Sequence, residues 1–262
     1  MYIHKFNPIL LHFGFFEIRW YSLAYIAGIL IGWWLAKKII KIRTKDLNSL
    51  INFDDLVSYL IIGIILGGRL GYVLFYNLNY YLNNKLEIIK IWEGGMSFHG
   101  ALIGIIFTTY LFSKKKNLNT FLYLDVIACV APVGIFFGRL ANFINSELYG
   151  VPSNNALSVI FPLIDNIPRH PSQLYEALLE GLVLFLILNV SFFMLKKPNG
   201  YYSGLFLILY GFFRIICEQF REPDLQIGYL FELISMGTLL STLMIFFGSI
   251  IILKLKKDEK NK

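Results

Sequence analysis

The sequence predicts an all-α integral membrane protein of about seven transmembrane helices, on three observations. Apolar residues make up 56% of the 262 residues and charged residues only 16%, with a mean hydropathy of +0.61. A soluble chain carries about 25% charged residues. The apolar residues gather into runs of roughly 20, the length that crosses a hydrocarbon core about 30 Å thick. The basic residues fall in short clusters after alternate runs, the pattern that marks a cytoplasmic face.

Residues 1–16 lack the basic flank, apolar core and small-residue cleavage site of a signal peptide, and read as a short pre-membrane segment. The runs follow at approximately 21–36, 56–76, 96–112, 121–141, 173–195, 203–220 and 231–253. The first, third and sixth are short for a full span, so tilted or broken helices are expected there. Lys37, Lys38, Lys41, Arg43 and Lys45 follow the first run; Lys114, Lys115 and Lys116 follow the third; Lys196 and Lys197 follow the fifth. The tail adds Lys254, Lys256, Lys257, Lys260 and Lys262. The opposite side holds only Lys5, Arg19, Lys85, Lys90, Arg169 and Arg221. This asymmetry places the N-terminus outside and the C-terminus in the cytoplasm. Residues 1–262 form a single polytopic membrane domain in this reading, with outer-face loops at about 77–95, 142–172 and 221–230.

Composition also excludes classes. The net charge of +7 would point to nucleic acid only if basic residues formed an accessible patch with aromatics between them. They do not, and no nucleic-acid partner is expected. Cys129 and Cys217 both lie in apolar runs without metal-like spacing, and read as small buried hydrophobes.

Several polar residues interrupt the apolar runs, where an unsatisfied polar group costs several kcal/mol. Arg69 stands among Gly67, Gly68 and Gly71. It is either paired to an acidic neighbour in a tightly packed helix or available to a ligand. His99 follows Gly94-Gly95 and precedes Gly100 at the mouth of the third run. It is either a structural histidine or a proton-transfer group. Arg139, Asn142 and Ser146 share a face if their helix continues. Glu147 could then pair with Arg139, or Arg139 could grip a phosphate with its guanidinium fork. Glu176 and Glu180, one turn apart, need partners such as Arg69 or Arg214, and Arg214 with Glu218 is an i, i+4 pair. Pro223 is expected to end the sixth helix, leaving Arg221 at the outer interface. Arginines at head-group depth, without an acidic cluster for a metal, suit an anionic phospholipid substrate.

At these motifs the chain resembles the bacterial prolipoprotein diacylglyceryl transferases, over nearly its whole length. Arg19-Trp20-Tyr21 with Tyr25 looks like the family's N-terminal aromatic motif. The blocks 67–76, 92–100, 138–150, 169–176 and 210–224 match further motifs in order. Block 138–150 resembles the signature Gly-Arg-x-Gly-Asn-Phe-x-Asn-x-Glu-x-x-Gly. Ala141 and Ala101 stand where the family has Gly, and Thr238 where Gln is common. The segment 151–168 is shorter than in many members.

The resemblance implies transfer of the diacylglyceryl group of phosphatidylglycerol to the lipobox cysteine in a prolipoprotein signal peptide. A thioether forms and glycerol-1-phosphate leaves. It makes His99, Arg139 and Arg221 the catalytic candidates: a base for the thiol and two cations for the phosphate. Tyr21, Arg69, Asn142, Asn145, Glu147, Gly150 and Glu218 become the substrate-binding candidates. No metal and no cofactor is implied. The implied location is multi-pass in the bacterial inner membrane, among its lipids, with the active site towards the outer face. Two rivals fit the residues less well. A phosphatidyltransferase would need a carboxylate cluster for a metal, and apart from Asp125 the spans hold no aspartate. An anion transporter would need polar residues reaching the cytoplasmic side and an internal repeat, and the sequence has neither.

Overall fold

The structure of the protein, a computed structural model, describes residues 1–14, 16–223, 228–230 and 233–260. Three short strands open the chain: β1 (Tyr2–Ile3), β2 (Ile9–Phe13) and β3 (Phe16–Arg19). Then come α1 (Trp20–Thr44), α2 (Leu47–Tyr76) and α3 (Leu78–Asn83), two 3₁₀ turns at Lys85–Ile89 and Ile91–Glu93, and α4 (Phe98–Lys115) and α5 (Thr120–Ile144). Strands β4 (Val159–Ile160) and β5 (Pro168–Arg169) precede α6 (Ser172–Glu176), a π-helical segment Ala177–Val183 and α7 (Leu184–Met194), which run as one helix. The chain ends with α8 (Tyr201–Glu218), β6 (Tyr229–Leu230), β7 (Ile234–Ser235) and α9 (Met236–Lys260).

Among the described residues, six helices are long and apolar enough to cross a membrane: α1, α2, α5, Ser172–Met194, α8 and α9. The protein is thus an all-α multi-pass membrane protein. The expected third span forms as α4, but its 18 residues include His99 at the start and Lys114 and Lys115 in the last turn, and it is not one of the six. Helix ends overrun the apolar windows because capping, not hydropathy, sets them. Asp46 caps α2 by accepting from Asn48 N and Ser49 N, both at 3.1 Å, so that helix begins at Leu47, not 56. Likewise α1 continues through Lys37, Lys38, Lys41 and Arg43. The expected end of α8 at Pro223 is wrong: the helix stops at Glu218, and Arg221 lies in extended backbone bridged to Gly150. The expected outer loop 221–230 lies partly outside the described residues, at 224–227.

The described residues divide into two compact units, Lys37–Val126 with Gly228, and the remainder. The smaller unit is built on a glycine contact between α2 and α4. Gly63, Gly67 and Gly71 of α2 meet Gly100 and Gly104 of α4 backbone to backbone. A Cβ on Gly67 would lie 2.9 Å from Gly104 Cα and would also strike the Gly100 carbonyl. Apolar side chains gain nothing by leaving lipid for each other, so close backbone approach is what holds such a pair together. Replacing Gly104 by alanine drives the new methyl into the Gly63 carbonyl. We expect a loss of about 1–3 kcal/mol from overpacking, read as a lower Tm in detergent; an unchanged Tm would contradict this packing.

In the larger unit, Gly204 packs on Gly248 and Gly211 on Ser241, which draws α8 and α9 together. Helix α5 runs on through Pro132, and Asn189 Nδ2 of α7 donates to the Cys129 carbonyl, three residues before it, at 2.9 Å. Strand β1 runs parallel to β4, which pairs antiparallel with β5. This sheet seats the N-terminus: His4 is buried among Phe143, Phe161 and Phe6, with ring centroids 5.1, 5.2 and 5.4 Å away. Burial pushes its imidazole below the ordinary histidine range. Two-residue strands carry no legible alternation, so an all-helical reading misses them.

Candidate active site

The larger unit carries three arginines of the candidate site. Arg139 lies on the last turns of α5, Arg214 on α8 and Arg221 just beyond it. Between them stand Glu176, which closes α6, and Glu180, in the π-helical segment; both side chains are fully buried. Glu176 is held by all three arginines: Arg214 Nη1 at 2.5 Å, Arg139 Nε at 3.1 Å and Arg221 Nη1 at 3.3 Å. Glu180 meets Arg139 Nη2 at 3.2 Å and Arg214 Nη1 at 3.4 Å. Arg214 Nη2 reaches Glu218 at 2.6 Å, the expected i, i+4 pair, and Ser235 Oγ donates to that same carboxylate at 2.9 Å. Three guanidinium groups thus face three carboxylates. Desolvating each ion costs several kcal/mol, and apolar side chains could fill such a space at least as stably. Stability alone does not account for the cluster.

Sequence reasoning sees part of this cluster. Glu176 and Glu180 do need arginine partners, and Arg214 is one of them; Arg69 is engaged elsewhere. Arg139 binds these two glutamates, so Glu147 is not its counter-ion. What the sequence misses is that α5, α6 and α8 bring their charges to one place. The signal was present, as four intramembrane charges at 139, 176, 180 and 214, but their mutual facing is set by tertiary packing. A π-helical turn is itself uncommon and often marks a functional site.

Beside the cluster in sequence, the end of α5 forms a second polar group. Helix α5 stops at Ile144, and Ser146 and Leu148 take left-handed backbone at φ 58° and 53°, which non-glycine residues adopt only at some cost. Ser146 therefore leaves the expected Arg139–Asn142 face, and its hydroxyl lies 3.3 Å from His4 Nδ1. Glu147 is exposed and accepts from Asn142 Nδ2 at 3.2 Å and Asn145 Nδ2 at 3.3 Å. Gln173 Nε2 fixes the Glu147 carbonyl at 2.6 Å. The Asn142 side chain is also within hydrogen-bonding reach of the Tyr21 hydroxyl, which lies 3.1 Å from that of Tyr25. The structure thus brings Tyr21, Asn142, Asn145 and Glu147 together.

Gly150 sits where three segments cross. Its N–H donates to the His170 carbonyl at 3.0 Å, it bridges Arg221, and a Cβ there would strike the His170 and Phe220 carbonyls. Arg169 locks the crossing: Nη1 donates to the Gly150 carbonyl and to Glu222, both at 3.1 Å, and its guanidinium lies 4.7 Å from the Tyr149 ring centroid. Hydrogen bonds from Arg169 hold the Asp165 carboxyl below its ordinary range.

In the smaller unit Arg69 is buried and spends its fork on backbone carbonyls. It donates to Ile88 at 2.9 Å, Glu87 at 2.6 Å and Gly94 at 2.5 Å, with the Tyr81 ring 5.1 Å away. Those bonds tie down the turns at 85–95 that lead to His99. His99 is buried in the first turn of α4, next to Ser97, which caps that helix by accepting from Gly100 N at 3.2 Å. Among the described residues, no group of three or more His, Cys, Asp or Glu side chains is placed to hold a metal ion.

Fold and site define a polytopic helical membrane protein with a buried centre of arginines and glutamates. Residues 8–254 match the family described as prolipoprotein diacylglyceryl transferase. A phosphatidylglycerol–prolipoprotein diacylglyceryl transferase of Rickettsia typhi is 51% identical over 97% of this chain and 99% of its own length. Proteins of the same name from Rickettsia felis and Rickettsia bellii are 50% and 51% identical, over 94% and 95% of this chain and 95% of their own lengths. The chain belongs to the prolipoprotein diacylglyceryl transferase family.

Proposed function

We propose that the protein transfers the diacylglyceryl group of phosphatidylglycerol to the cysteine thiol of a prolipoprotein lipobox. The observation that carries this reading is the cluster of Arg139, Arg214 and Arg221 on buried glutamates within membrane-crossing helices. Family membership and the names of the relatives supply both substrates. In the reaction the thiolate sulfur attacks the glyceryl carbon bound to the phosphate. A carbon–sulfur bond forms, the carbon–oxygen bond breaks, and the oxygen leaves on glycerol-1-phosphate with its electron pair. The thiol proton passes to a base, for which His99 is the candidate. Attack at an alkyl carbon calls for no enzyme nucleophile and no oxyanion hole. It calls for a thiolate, from a thiol of pKa about 8.5, and for cations at the departing phosphate.

Arg139, whose side chain is 12% exposed against 6% for Arg214 and 8% for Arg221, is the most open of the three. It is assigned the phosphate, with Arg221 behind it. Tyr21, Asn142, Asn145 and Glu147 hold the glycerol hydroxyls, to which a carboxylate and amides are suited. Gly150 and Glu218 shape this site, and Arg69 positions the approach to His99 by holding residues 87–95. The membrane is assigned as the bacterial inner membrane, with the site towards the outer face, following the lysine asymmetry.

The test is mass-shift transfer from phosphatidylglycerol to a lipobox peptide by the purified protein in detergent or nanodiscs. A thioether adduct is expected, and its absence under all conditions in which the protein is folded would overturn the reading. Replacing His99 by glutamine is expected to lower the rate at pH 7 by about 10²–10⁴-fold, the usual worth of a positioned base. Raising the pH should recover part of that loss as the thiol ionises unaided. A near-normal rate would remove His99 as base.

A further inference from the structure

We propose that Glu180 is the exchangeable counter-ion of the arginine cluster: it releases Arg139 to the incoming phosphate and so sets how tightly that phosphate is held. This rests on the transferase reading and names a positioning residue within it.

Among the described residues the cluster is charge-balanced, three guanidinium groups against Glu176, Glu180 and Glu218. A further anion entering a balanced, poorly solvated cluster meets as much repulsion as attraction unless one carboxylate gives way. The contacts show which one. Glu176 is gripped by three arginines, the shortest contact being 2.5 Å. Glu218 has Arg214 at 2.6 Å, the Ser235 hydroxyl at 2.9 Å, and the backbone of Gly237 against it. Glu180 has the longest pair of contacts, 3.2 Å to Arg139 and 3.4 Å to Arg214. It also stands in the π-helical segment. Its shorter contact is to Arg139, the most open of the arginines. An anion that takes Arg139 leaves Glu180 still facing Arg214, so no carboxylate is stranded. Losing Arg139 would leave Glu176 with two cations, which holds it in place.

The consequence has a sign that a purely structural role does not share. Replacing Glu180 by glutamine removes one negative charge at nearly constant volume, so the cluster gains net positive charge and binds phosphate more tightly. With the full-length protein in detergent, the inhibition constant of glycerol-1-phosphate is expected to fall about tenfold in Glu180→Gln. KM for phosphatidylglycerol should fall with it, and kcat should drop as product leaves more slowly. Glu180→Met, similar in volume and also uncharged, makes the same prediction should the glutamine variant not fold. Glu176→Gln, which loosens all three arginines, is expected to weaken inhibition instead. A charge-free, folded Glu180 variant with an unchanged or raised inhibition constant overturns the proposal. A wild-type protein that neither transfers nor binds glycerol-1-phosphate would overturn the transferase reading itself, which is a separate outcome.

Discussion

Replacement of Arg214 by methionine is expected to be among the most destabilising single changes in this chain. Its guanidinium touches Glu176 at 2.5 Å, Glu218 at 2.6 Å and Glu180 at 3.4 Å, and its side chain is 6% exposed. Methionine fills much of the volume, so the loss is electrical: three buried carboxylates keep only Arg139 and Arg221. Breaking a buried ion cluster by removing one partner costs about 3–5 kcal/mol. For a chain of this size that corresponds to a fall in Tm of roughly 6–20 °C. A second change, Glu218→Gln, removes one stranded charge and should recover part of the loss, a coupling that a double-mutant cycle reads directly. If Arg214→Met unfolds within 2 °C or so of wild type, the cluster is not the buried ionic centre described.

Replacement of Arg139 by alanine is expected to act on turnover far more than on stability. Arg139 is the most open of the three, and Glu176 retains Arg214 and Arg221 without it. A cation at a departing phosphate oxygen is worth about 10²–10³-fold in rate, by analogy with a lost oxyanion donor. Transfer should fall at least that far while the protein remains inserted and folded. Arg139→Lys keeps the charge but loses the planar fork that spans Glu176 and Glu180, and intermediate activity is expected. Full activity in Arg139→Ala would remove this residue from the site.

Much of the architecture is legible in the sequence because hydrocarbon leaves few alternatives: a 20-residue apolar run is a helix. The expected spans all appear as helices, though their ends are misplaced wherever a cap such as Asp46 extends the helix beyond the apolar window. The small sheet of β1, β4 and β5 is invisible because strands this short have no period to detect. At the site, the polar residues are individually legible, since each is costly in lipid. Their pairings are not. Pairing of Glu147 with Arg139 is one of two readings the motif allows; the left-handed turn at Ser146 and Leu148 carries Glu147 to the asparagines. Arg69 reads either as the partner of an acidic neighbour or as a ligand contact, and its fork meets the backbone carbonyls of Glu87, Ile88 and Gly94. Gly150 reads as part of a binding motif, and it is where three segments cross too closely for a side chain. In each case the neighbour is set by the turn or crossing the chain makes, which local pattern does not encode.

The proposed grip of the arginine cluster on the phosphate of a phosphoglycerol head group is read by equilibrium binding of glycerol-1-phosphate to the purified protein, wild type against Arg139→Ala. Saturable binding by wild type, weakened about 100-fold or more in the variant, equivalent to about 2.7 kcal/mol, is the expected result. Equal affinity in the two proteins would contradict it.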